Sequence, residues 1–190
     1  MYSSSTAHDR AFRAPERPEV PEFGTVTGDL PSDTPMITTH RVTYSDRLKV
    51  FIGPSETVQN FLRPLRRLDG HDRYSLCMTR LPAPMRSRDI PTTPITDRGT
   101  DYLHCMGSVD GLILELRTTV DGHPYQCLLG SGSLHSDAPT VHICAEPGQR
   151  PVEVYPDEVF TAEQAAEIFT TYYRTGEVPL DLTRREWVLR

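Results

Sequence analysis

The chain has 190 residues and a mass of 21.5 kDa, with a formal net charge of −6, 37% hydrophobic residues and 17 prolines. That length suits one domain plus a tail outside the core, and suffices to bury a core without disulfides or metal. No apolar run approaches the ~18 residues of a membrane span, and the N-terminus carries no apolar stretch of the secretory kind, so a cytoplasmic protein with no membrane contact is expected.

Residues 1–35 hold Pro15, Pro18, Pro21, Pro31 and Pro35 among charged and small polar residues. No helical or strand period survives there, and the segment is expected to be a disordered Pro-rich leader. A single α+β domain is expected over residues 36–190. "HRVTYSDRLKVFIG" predicts one or two short strands, the clearer at Leu48 to Ile52. Ser55 is then placed to cap a helix with Val58, Phe61, Leu62, Leu65 and Leu68 on one stripe. Pro64 must kink or end that helix. "YSLCMTRL" returns to strand.

The stretch 82–100, with four prolines and no period, predicts a long exposed loop. "DYLHCMGS", "GLILELRTTV" and "PYQCLLGSG" predict consecutive strands. Asp121-Gly122 between the last two is a hairpin signal. "TVHICAE" and "PVEVYP" continue the pattern across the turn "PGQR". The whole predicts a mostly antiparallel sheet with two main helices packed on one face.

The second helix has both ends written into it. Thr161 and Gln164 form a capping box, behind Phe160 as a hydrophobic staple. Ala165, Ile168, Phe169, Tyr172 and Tyr173 make the buried face, with Glu163 and Glu167 on the other side. Arg174, Gly176 and Pro179 supply the stop. Trp187, the only tryptophan, is expected to lock this helix to the sheet.

Candidate chemistry is sparse. Cys77, Cys105, Cys127 and Cys144 show no CxxC spacing and sit in or beside apolar runs, which fits buried reduced thiols. There is no P-loop, GxGxxG, GxSxG or HExxH, and no zinc-deaminase pattern, so no cofactor is expected. "GSGS" after Leu129 opens no helix and is a weak phosphate site. His104, Cys105, His142 and Cys144 are the one suggestive cluster. A small enzyme or ligand-binding domain would need His104, Cys105 and His142 to converge, with the 82–100 loop as a lid. Strand alternation sends His104 and Cys105 to opposite faces, so at most three of the four can meet.

Charge is concentrated at the C-terminal end, where residues 137–190 carry ten acids against five arginines. Phosphate is repelled by such a surface and a basic protein is attracted to it. Direct nucleic-acid binding is therefore not expected.

The segment "VEVYPDEVFTAEQAAEIFTTYYRTGEVPLDLTRREW" resembles the signature end of the first family of bacterial polymorphic-toxin immunity proteins, which often stand beside nucleic-acid deaminase toxins. The match rests on Phe160, Glu163, Ala166, Phe169, Tyr172, Tyr173, Thr175, Gly176, Pro179 and Trp187. The strand-rich stretch from Gly111 to Cys144 and the helix after Pro54 share that family's layout. Residues 1–35 and the 82–100 loop are longer than its pattern. The resemblance implies a non-enzymatic inhibitor that binds a cognate toxin and occludes its active site. The toxin-binding surface expected on this basis is Glu153, Tyr155, Asp157, Glu158, Glu163 and Glu167, facing a basic toxin groove.

Overall fold

The computed structural model describes residues 37–90, 101–132 and 139–187. The leader expected at 1–35 lies outside them, as do residues 91–100.

Seven strands form one antiparallel sheet in the order β2-β1-β3-β4-β5-β6-β9. They are β1 (Ile37–Tyr44), β2 (Leu48–Ile52), β3 (Ser75–Arg86), β4 (Tyr102–Ser108), β5 (Gly111–Val120), β6 (His123–Gly130) and β9 (Thr183–Glu186). A separate hairpin joins β7 (Val141–Ile143) to β8 (Val152–Val154). The helices are α1 (Val58–Leu62), continued as a 3₁₀ turn over Arg63–Arg67, and α2 (Ala162–Thr175). The α+β architecture is as expected from sequence.

Side-chain alternation divides the sheet into two faces. Val42, Leu76, Met78, Leu103, Cys105, Leu112, Leu114, Leu116, Cys127 and Leu129 point to the face covered by α2 and α1. They meet Phe61, Leu65, Ala165, Ile168, Phe169 and Tyr172 in the main core. On the other face Met106, Ile113 and Leu128 pack with Ala145, Val154 and Trp187 under the β7–β8 hairpin. The run "GLIL" is apolar on both sides because both sides of β5 are covered there.

Three sequence expectations are corrected by this arrangement. Trp187 does not lock α2 to the sheet: it belongs to the cluster beneath the hairpin, on the opposite face. β9 pairs with β6, so Glu186 aligns with Cys127, and the next side chain along turns toward the hairpin. Secondly, α1 begins after Thr57 rather than at Ser55, and Pro64 converts it to a 3₁₀ turn after five residues. Thirdly, the loop expected from Pro82 begins later. β3 runs on to Arg86, pairing Met85 with Thr38 and Arg86 with Ile37 across a register shift. Among the described residues that end of β3 pairs only with β1, and prolines are tolerated at such an edge.

Local signals elsewhere hold. Asp121 and Gly122, at φ 50° and 78°, form the tight turn between β5 and β6, the positive-φ pair that hairpins of this length favour. Thr161 Oγ1 accepts the Gln164 N–H at 3.2 Å, and Gln164 Oε1 accepts the Thr161 N–H at 2.9 Å. Gly176 closes α2 at φ 80°, its N–H bonded to the Tyr172 carbonyl at 2.7 Å.

Candidate functional site

The residues expected to meet a partner lie where the chain leaves the hairpin and passes to α2. Three residues, Pro156–Glu158, make a 3₁₀ turn. The turn is fastened to the sheet twice. The Ser131 N–H bonds to the Asp157 carbonyl at 2.7 Å, and Phe160 exchanges N–H···O bonds with Leu112 at 2.8 and 3.1 Å. "GSG" fits this contact: a Cβ on Gly132 would stand 2.5 Å from the Asp157 carboxylate. Gly130 and Gly132 thus serve close packing of the turn against the sheet.

Glu158 is 4% exposed and faces inward. Its carboxylate takes a two-pronged hydrogen bond from Arg185, Nε at 2.6 Å and Nη2 at 2.7 Å, and also accepts the Tyr155 N–H at 2.9 Å. That bond raises the pKa of Arg185, and a planar fork of this kind carries directional specificity. The Arg185 guanidinium also stands over the Tyr155 ring, 5.3 Å from its centre. Tyr155 is thereby held half-buried, with one side of its ring against a cation. Glu158 is therefore a structural residue and leaves the expected contact surface. Arg185 joins the site unannounced: in "LDLTRREW" nothing separates it from Arg184, and only the register of β9 turns it inward.

The other carboxylates are distributed over two layers. Glu153 is exposed on the outer face of the hairpin, opposite His142, and accepts a hydrogen bond from Thr140. Asp157 is half-buried on the connecting turn. Glu163 and Glu167 are exposed on α2, with Glu163 paired to Arg66 at 3.2 Å across open surface. Such a pair contributes little and is readily exchanged for another partner.

The cluster required by an enzyme reading does not assemble. Cys105 lies wholly buried in the core beneath α2, where burial pushes its thiol above the ordinary range. His104 points to the other face, 6.3 Å from the Tyr102 ring. His142 is exposed on the hairpin and Cys144 follows it on the surface. Among the described residues no group of three or more His, Cys, Asp or Glu could hold a metal ion.

Two polar features were not singled out from sequence. Glu115, 1% exposed in β5, accepts hydrogen bonds from Tyr102 and from Gln126 Nε2, the latter at 2.8 Å, while its second oxygen has no partner among the described residues. Burial raises its pKa. A lone charge inside "GLILELR" is the signal that could have found it. The second feature is a cleft of about 610 Å³ between β1, β3 and the end of α2, lined by His40, Arg80, Pro82, Pro84, Asp101 and Arg174 among others. Burial, with the nearby Arg80 charge, lowers the His40 pKa to about 4. Part of the expected lid thus lines a cleft holding His40 rather than covering His104 and Cys105.

Among the described residues no helix is long and apolar enough to cross a membrane. Comparison with known proteins returns no matching family model, curated protein or solved structure.

Proposed function

We propose that this chain is an immunity protein that binds and neutralises a cognate bacterial toxin, of the nucleic-acid-modifying deaminase type, by occluding its active site. The observation that carries the reading is the surface around the 3₁₀ turn at 156–158. There the Glu158–Arg185 pair braces the Tyr155 ring, and exposed carboxylates stand on the hairpin at Glu153 and on α2 at Glu163 and Glu167. A toxin that handles nucleic acid needs a basic groove, and an acidic surface competes for it by steering and by complementary charge. In this role Tyr155 is the desolvated anchor, and Glu153, Asp157, Glu163 and Glu167 set partner choice. The resemblance of residues 152–187 to immunity proteins points the same way. The protein needs no cofactor for this task and does not touch nucleic acid itself.

The reading is tested by mixing the chain with the product of its neighbouring gene and following complex formation across a salt series. Tight binding that weakens as salt rises is expected. Absence of binding at every salt concentration would sink the reading, and salt-insensitive binding would remove its electrostatic part.

A further inference from the structure

The two edges of the sheet differ in kind. β9, at one edge, is short and reads "TRRE", with Arg184 and Glu186 exposed. Charged side chains of this sort are how sheets discourage edge-to-edge pairing. β2, at the other edge, reads "LKVFI" and exposes Leu48 at 58%, Val50 at 36% and Phe51 at 37%. Among the described residues no strand pairs with its outer side. Lys49 is its one charged side chain, and exposed apolar side chains stand on both of its faces.

The sequence of β2 is complementary to itself when reversed. Leu48 and Val50 align with Tyr44 and Val42 of β1, and Ile52 with His40. Leu48, Val50 and Ile52 therefore stand on the α2 side, whereas Lys49 and Phe51 stand on the other. An antiparallel copy placed on a two-fold axis through Val50 sets Leu48 opposite Ile52, Val50 opposite Val50, and Lys49 opposite Phe51. One face becomes an unbroken row of aliphatic side chains. The other brings the strand's one cation to an aromatic ring, twice, with no like charges facing each other. We propose that this chain forms a symmetric dimer by antiparallel pairing of β2 with β2 of a second copy, continuing the sheet through the two-fold axis. The inference goes beyond toxin binding. It uses the edge farthest from β6, β9 and the Tyr155 surface, so both copies keep that surface free. A five-residue strand buries less than the ~1,000 Å² of a permanent interface, so the dimer is weak and reversible.

Sedimentation of the full chain over a concentration series tests this. A concentration-dependent rise from the 21.5 kDa protomer to twice that mass is expected. Val50→Lys, which sets two like charges opposite each other, should raise the dissociation constant roughly tenfold or more; Leu48→Lys should weaken the dimer with less risk to the fold. In a Cys144→Ser background, Val50→Cys should cross-link to itself under mild oxidation, because paired Cα atoms stand ~4.5–5.5 Å apart. Leu48→Cys should not, since its copies lie four residues apart along the strand, roughly 13 Å. A monomer at all concentrations overturns the proposal. So does a dimer that survives Val50→Lys in a protein with an unchanged circular dichroism spectrum, or equal cross-linking at both positions. Protection of β2 from hydrogen exchange only when a different protein is added would assign this edge to that protein and also overturn it.

Discussion

At the scale of single residues, the buried titratable groups make stability depend on pH in opposite directions. His40 is 5% exposed and its pKa falls to about 4 in the folded chain, from 6.5. The unfolded chain therefore binds the extra proton between those values. Folding stability is complete above about pH 6.5 and is lost as pH falls towards 4. Thermal melts across that window should show the loss, and His40→Gln should flatten it. Glu115 has the contrary sign. Its folded pKa is raised by burial above the ordinary 4.5, so its contribution is full below that value and declines as pH climbs through the raised folded value. Glu115→Gln should keep the Tyr102 contact and remove the decline, visible as a higher melting temperature at neutral pH. Glu158 behaves as a brace. Glu158→Ala should cost about 2–3 kcal/mol in denaturant unfolding, less than the ~3–5 kcal/mol of a fully buried pair, because Arg185 keeps 33% of its side chain in water.

At the scale of elements, local chemistry was readable where one rule acted alone. α2 carries its capping box, buried face and left-handed stop within its own residues, and all three were legible in "FTAEQAAEIFTTYYRTG". Thr161→Ala should lower stability by about 1 kcal/mol, measured by chemical unfolding, with the helix otherwise retained. The Asp121-Gly122 turn was legible for the same reason. What was not legible depended on register between distant segments. Trp187 and Arg185 are placed by the pairing of β9 with β6, which no local period announces. Glu158 looked like one more surface acid until the turn at 156–158 aimed it at Arg185. The prolines at 82 and 84 read as loop, yet β3 absorbs them where, among the described residues, it pairs only with β1. For the candidate site, composition located the acidic region and could not separate the inward carboxylate from the outward ones.

At the scale of the whole molecule, the sheet is a partition. One face is closed by α2 and α1, the other carries the hairpin, and the chain crosses between them at the turn that holds Tyr155 and Glu158. The six expected contact residues therefore divide: Glu153, Glu163 and Glu167 are exposed, Tyr155 and Asp157 are half-buried, and Glu158 fastens the turn beside Tyr155. Loss of the brace should weaken binding through misplacement of Tyr155 even with every exposed carboxylate intact. The two sheet edges divide likewise, with charge guarding β9 and an apolar strand at β2. If the exposed acids of the hairpin and α2 steer a basic toxin, titrating the activity of a cognate toxin with the wild-type chain and with the combined Glu153→Gln, Glu163→Gln and Glu167→Gln variant shows it. Stoichiometric inhibition by the wild type is expected, and inhibition weakened about tenfold or more by the variant at low salt, with the difference shrinking as salt screens the charges. Equal inhibition by both chains at low salt, or none by either, would contradict it.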